Sequence, residues 1–343
     1  MADSLSSSWG GQSDKPVDSD KPDQPVEPVE PVEPVEPVEP VEPVDADKPV
    51  EPVEPVEPVA QDESVAPDES DETDEAVERV VLARDGVKLS CRDWGGPGVD
   101  VLLLHGLAGH SGEWDATARA LRDAGHRVVT LDQRGHGNSE RRPADVSRAA
   151  YVADVVAVVT ELGLRQPVLM GQSLGGHTAL LTAAAHPGLP RALVLVEAGP
   201  GGAEPGLQAG IAAWFADWPV PFPTREAAVA YLGGGKRAVG EGWASGLEER
   251  GDGLWPRFDA DVMVRSLDDN AARAFWDEWA AITCPVLSVL GQGEQGGIIG
   301  AEEYAEMARL LPGLRGVSVP GTGHDTHLER PEVLHSLVMG FLE

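Results

Sequence analysis

Hydrophobic and polar positions fall into two regimes that meet near residue 76. Beyond that point, Glu78 to Ala83 and Val87 to Trp94 form alternating runs parted by Arg84-Asp85-Gly86, a pattern that predicts an antiparallel hairpin. Val101 to Leu104 is wholly apolar, as a strand buried on both faces requires. Further strands are predicted over Arg127 to Leu131, the residues from Pro167 to the glycine-rich turn, Ala192 to Val196, Val286 to Leu290 and Gly316 to Val319. Helices are predicted between them, over Gly112 to Ala124, Ser147 to Glu161, Leu174 to Ala185, Ala301 to Leu311 and Pro331 to Leu342. Strand and helix alternate through short links, so the fold class expected is α/β, a mostly parallel central sheet flanked by helices.

Two stretches break this rhythm. Pro25 to Pro43 repeats Pro-Val-Glu every three residues, and the repeat resumes from Pro49 to Pro58. Proline at every third position removes backbone donors and excludes helix and ladder, while polyproline II has three residues per turn. Residues 1–76 are therefore expected to be a disordered acidic tail, and 77–343 the folded domain. The second break runs from about residue 200 to 281, where glycine-rich loops mix with short helical stretches. It holds Trp214, Trp218, Trp243, Trp255, Trp276 and Trp279, together with Phe215, Phe222, Phe258 and Phe275. The polar run Glu248-Glu249 and Asp252 reads as a solvated loop.

Charge changes the picture only at the N-terminus. Residues 1–75 contain 24 acidic and 3 basic residues, so -21 of the total -32 belongs to the tail. So acidic a chain lacks the basic patches that nucleic acid or an anionic membrane surface would need. The tail reads as a spacer, with a weak docking partner for its acidic proline rod as the alternative. With no signal-like segment and no run of 18 apolar residues, a cytoplasmic location is expected. Cys91 and Cys284, far apart and in strand-like contexts, read as reduced thiols.

Chemistry concentrates at Gly171-Gln172-Ser173-Leu174-Gly175, where an apolar strand runs into a predicted helix. This is the pattern of a nucleophile elbow, which lifts a serine Oγ clear of the sheet and aims the next backbone N–H at a developing oxyanion. Together with His105-Gly106 after one strand and Asp132-x-Arg134-Gly135-x-Gly137-x-Ser139 after the next, it resembles the α/β-hydrolase superfamily in order and spacing. The resemblance covers about residues 78 to 343.

That resemblance implies Ser173 as nucleophile, His324 in Pro320-Gly321-Thr322-Gly323-His324 as general base, and the Leu107 and Leu174 N–H groups as the oxyanion hole. It makes the 200–281 insertion a helical cap over the site. The triad acid follows the sixth or the seventh strand in such proteins, which leaves Glu197 and, as the alternative, Glu294. His105, the Asp132 to Ser139 segment, His136, His177 and His327 read as structural. The activity implied is serine hydrolysis of a small, partly apolar ester or related carbonyl substrate, with no metal or cofactor. Carbon–carbon bond hydrolysis, perhydrolysis and aminopeptidase chemistry use the same triad. A ligand-binding protein with little turnover is the reading from another class.

Overall fold

The computed structural model describes residues 75–201, 206–292 and 297–343, and the Pro-Val-Glu repeats and Glu294 lie outside the described residues. The chain enters through β1 (Val77–Leu82), β2 (Lys88–Gly95) and β3 (Asp100–Leu104), followed by α1 (Asp115–Asp123) and β4 (Arg127–Asp132). Then come α2 (Arg148–Glu161), β5 (Val168–Gln172), α3 (Leu174–Ala185) and β6 (Ala192–Val196). An insertion carries α4 (Leu207–Ala216), α5 (Arg225–Leu232), α6 (Arg237–Ser245), the hairpin β7 (Glu248–Arg250) and β8 (Gly253–Trp255), α7 (Ala260–Arg265), α8 (Asp268–Ala272) and α9 (Trp276–Ala280). The core resumes with β9 (Val286–Gln292), α10 (Ala301–Leu310), β10 (Arg315–Pro320), the short α11 (Thr326–Glu329) and α12 (Pro331–Leu342).

The eight-stranded sheet has the order β1-β2-β4-β3-β5-β6-β9-β10. β1 pairs antiparallel with β2, and β2 antiparallel with β4; every other pairing is parallel. Period-two alternation splits the strands between two cores. Leu102 and Leu104 face α2 and α3, and Val101 and Leu103 face α1 and α12 across the other side of the sheet. All five residues of β3, β5 and β6 are buried, which explains their unbroken apolar character. Truncating Leu103, which has no exposed surface, to alanine would cost about 2–5 kcal/mol.

The insertion is a helical cap with a core of its own, in which Phe215, Trp218, Phe222 and Phe258 pack with Val262 and Met263. It departs from the sequence expectations in two ways. Glu248-Glu249 does not lie in an irregular loop but forms β7, paired with β8. Phe275 and Trp279 are buried in the main core beside α3, and the Trp279 indole donates to the Met307 carbonyl at 2.9 Å, so these rings brace the sheet rather than line a lid. Cys91 sits buried in β2 as expected, but Cys284 precedes β9 on a half-buried bend; both thiols are free.

Candidate active site

Leu107, Leu174, Ser173, Glu197 and His324, singled out by sequence, lie at the carboxyl ends of parallel strands, where open α/β sheets bind ligands. Leu107 follows β3, Ser173 directly follows β5, Glu197 directly follows β6, and His324 lies in the loop after β10. Ser173 is the N-cap of α3 with φ 50° and ψ −116°, a left-handed conformation that costs a non-glycine residue on the order of 1–3 kcal/mol. Its own N–H donates to the Val196 carbonyl at 3.0 Å. The flanking glycines leave room for this turn. A Cβ on Gly171 would stand 2.3 Å from the Gly175 carbonyl carbon, and one on Gly175 would stand 2.2 Å from the Leu104 oxygen.

Ala108 (φ 62°) and Glu197 (φ 50°) share the positive-φ conformation, so three of the four such non-glycine residues among those described border this site. Leu174 is the first residue of α3, where a helix leaves its N–H without an intrahelical acceptor. Leu107 stands in the turn closed by Gly109 N–H donating to the Gly106 carbonyl at 3.2 Å.

Glu197 has no exposed surface. Its carboxylate accepts one backbone N–H on each oxygen, Gly291 on Oε1 and Ile298 on Oε2, both at 2.5 Å. Oε2 also lies 3.8 Å from His324 Nδ1, an ion-pair distance rather than a hydrogen bond. The His324 side chain keeps 36% of its surface exposed. Burial pulls its imidazole pKa down, but Glu197 and Asp325 outweigh that and hold it above the ordinary histidine value. Glu294, the alternative acid, lies outside the described residues.

One residue that sequence reading passed over joins these loops. Gln172 Nε2 donates to the His324 carbonyl at 3.1 Å, and its Oε1 occupies the space a side chain at Gly106 would need. Its place just before the serine is the only sequence signal that could have flagged it. The cap adds its own ties: Lys236 pairs with Glu329 at 2.7 Å, and Glu329 in turn accepts the Gly323 N–H at 2.9 Å, beside His324. A narrow cleft between the cap and the loop after β3 is lined by Ala108, Gly109, Trp218, Trp243 and Phe258.

His105, His136 and His327 are buried and held by their neighbours. His105 accepts the Gln133 N–H on Nε2 at 3.0 Å, so its Nδ1 carries the proton and donates to the Gly106 carbonyl at 2.7 Å. Burial pushes His105 and His136 down to about 3. His327 is buried against Trp114, with ring centroids 4.7 Å apart, and lies 3.6 Å from Glu113. Burial moves these two in opposite directions, His327 down to about 4 and Glu113 up to about 8, so both are neutral at pH 7. The Asp132 to Ser139 segment is scaffold: Asp132 accepts the Ser111 N–H at 2.6 Å and the Asn138 N–H at 2.8 Å. Arg134, itself buried, clasps Asp154 through Nε and Nη2 at 2.6 and 2.5 Å.

Comparison with known proteins places this arrangement in context. Residues 101–337 match the model of the alpha/beta hydrolase family. The sn-1-specific diacylglycerol lipase ABHD11 of Mus musculus is 31% identical over 71% of this chain and 80% of its own. The 2-(acetamidomethylene)succinate hydrolase of Mesorhizobium japonicum is 28% identical over 72% of this chain and 89% of its own. The crystal structure of E-2-(acetamidomethylene)succinate hydrolase superposes with a TM-score of 0.69 at 25% identity, covering 78% of this chain and 99% of that one.

Proposed function

Because the chain belongs to the alpha/beta hydrolase family, we propose that it is a serine hydrolase that cleaves a small, partly apolar ester through an acyl-enzyme. Ser173 Oγ attacks the carbonyl carbon while His324 takes its proton. The N–H groups of Leu107 and Leu174 stabilise the oxyanion, each worth about 3–4 kcal/mol of barrier. The alcohol departs with the proton from His324, and a water deprotonated by His324 then releases the acid. Glu197 fixes the imidazole tautomer and stabilises the imidazolium.

The observation that carries this reading is the Glu197 carboxylate, held by two backbone amides at the end of one strand with His324 Nδ1 3.8 Å away. A protein that only binds a ligand has no need to hold a buried carboxylate against a half-exposed imidazole beside a strained serine. The relatives named above as a lipase and a hydrolase support the same class of reaction. The aromatic side chains that the cap sets against the loop after β3 are the reason to expect a partly apolar substrate.

Stopped-flow hydrolysis of p-nitrophenyl butyrate tests the reading. A burst of nitrophenol equal to the enzyme concentration, absent in Ser173→Ala, is expected. Turnover that survives Ser173→Ala would overturn it.

A further inference from the structure

The cap holds a cavity of about 430 Å³ between the end of α4, the β7–β8 hairpin, the start of α7 and the loop that follows β4. Pockets that take small molecules span about 300–1,000 Å³, and this one falls within that range. Its apolar lining comes from Phe215, Trp218 and Phe258, all buried, and from the half-buried Val220, Trp255 and Pro256. Four of these six are aromatic, so the cavity presents ring faces and edges, which pack well against another flat ring.

Charge surrounds the cavity but is satisfied within its own rim. Arg141 donates to Asp259 at 2.8 Å, to Glu248 at 3.1 Å and to the Pro256 and Phe258 carbonyls, both at 2.9 Å. Arg142 engages Asp259 at 2.5 Å and Asp261 at 2.6 Å. Arg250 donates to Glu248 at 2.9 Å and lies 5.1 Å over the Trp255 ring. Three arginines thus meet three carboxylates, and these six charges cancel. An ionic guest would have to displace one partner and leave it unpaired, a cost that a neutral guest does not meet.

Trp218, Pro256 and Phe258 also line the narrow cleft beside Ala108 and Gly109, the residues that follow Leu107. These three residues therefore stand between the cavity and the loop after β3. We infer that the cavity is a binding site for a neutral, ring-bearing apolar molecule, and that this guest is not the molecule being cleaved. The first part stands whether or not the protein is a hydrolase; the second rests on the hydrolase reading.

A matched pair of fluorescent probes tests the first part on the full-length protein. N-phenyl-1-naphthylamine is neutral, and 1-anilinonaphthalene-8-sulfonate is the same skeleton carrying a sulfonate. Titration is expected to show saturable binding of the neutral probe, with the sulfonate at least about 10-fold weaker. Trp255→Ala, which removes an aromatic wall, and Ala260→Trp, which adds bulk to the lining, should each weaken the neutral probe about 10-fold. Melting curves show which variants are folded. No saturable binding, a sulfonate that binds as tightly, or an affinity unchanged in every folded variant would overturn the site. Hydrolysis of p-nitrophenyl butyrate with and without saturating neutral probe then tests the second part. KM is expected to stay within about twofold, whereas purely competitive inhibition would show that the guest takes the substrate's place and would overturn the separation alone. A wild type that does not cleave the ester without probe would overturn the second part together with the hydrolase reading, and leave the first as the probes find it.

Discussion

A carboxylate that accepts two backbone amides cannot be replaced by an amide without setting a donor against a donor. Glu197→Gln is therefore expected to cut kcat by about 10²–10⁴-fold with little change in KM, measured by steady-state ester hydrolysis. The same carboxylate raises the His324 pKa, and the base acts only when neutral. Activity should then rise with pH through a limb above the ordinary histidine value of 6.5, and in Glu197→Gln that limb should move to lower pH. Glu113 gives a second, independent pH effect. Its folded-state pKa of about 8 lies above its ordinary 4.5, so between those values the folded protein keeps a proton that the unfolded chain has released. Stability contributed there falls as pH rises, and Glu113→Gln should gain in melting temperature over wild type as pH goes from 5 to 8. At this scale the sequence marks Ser173, between two glycines, and His324, after Thr322-Gly323, as candidates, and the structure sets both in loops at the carboxyl end of the sheet. Glu197 stands ahead of Glu294 only because the loop after Gly291 is too long to put an acid at the usual spacing, and Glu294 lies outside the described residues.

The elements were legible wherever the apolar pattern was strong. β3, β5 and β6 read as buried parallel strands because both faces are covered, and the predicted helices flank them. The cap was legible as an insertion but not in detail. β7, Glu-Glu-Arg, has no apolar residue to betray a strand; it pairs with β8, and Arg250 lies 5.1 Å over the Trp255 ring. Trp279 looked like part of the lid because it is close in sequence to cap residues, while its indole and burial belong to the sheet's underside. The elbow makes the sharpest prediction at this scale. A Cβ at Gly175 meets β3 backbone oxygens, which cannot swing away, so Gly175→Ala should cost about 3 kcal/mol or more and displace Ser173. Thermal denaturation and ester turnover should fall together.

For the molecule as a whole, the acidic tail and the folded domain are read as separable. Most of the net charge lies before residue 76, while the described core is closed by its own strands and helices. Deleting residues 1–75 should leave kcat/KM within about twofold and the melting temperature unchanged within about 2 °C, a change small beside that of a core substitution. Among the described residues no helix is long and apolar enough to cross a membrane. The candidate site draws on loops from four strand ends, with Gln172, Lys236 and Glu329 tying the histidine loop to its neighbours. Whether that assembly makes Ser173 a nucleophile is read most directly by intact-mass analysis after treatment with a fluorophosphonate. One covalent adduct per chain, mapped to Ser173 and lost in both Ser173→Ala and His324→Ala, is the expected result. A wild-type protein that stays unlabelled, or an adduct on any other residue, would contradict it.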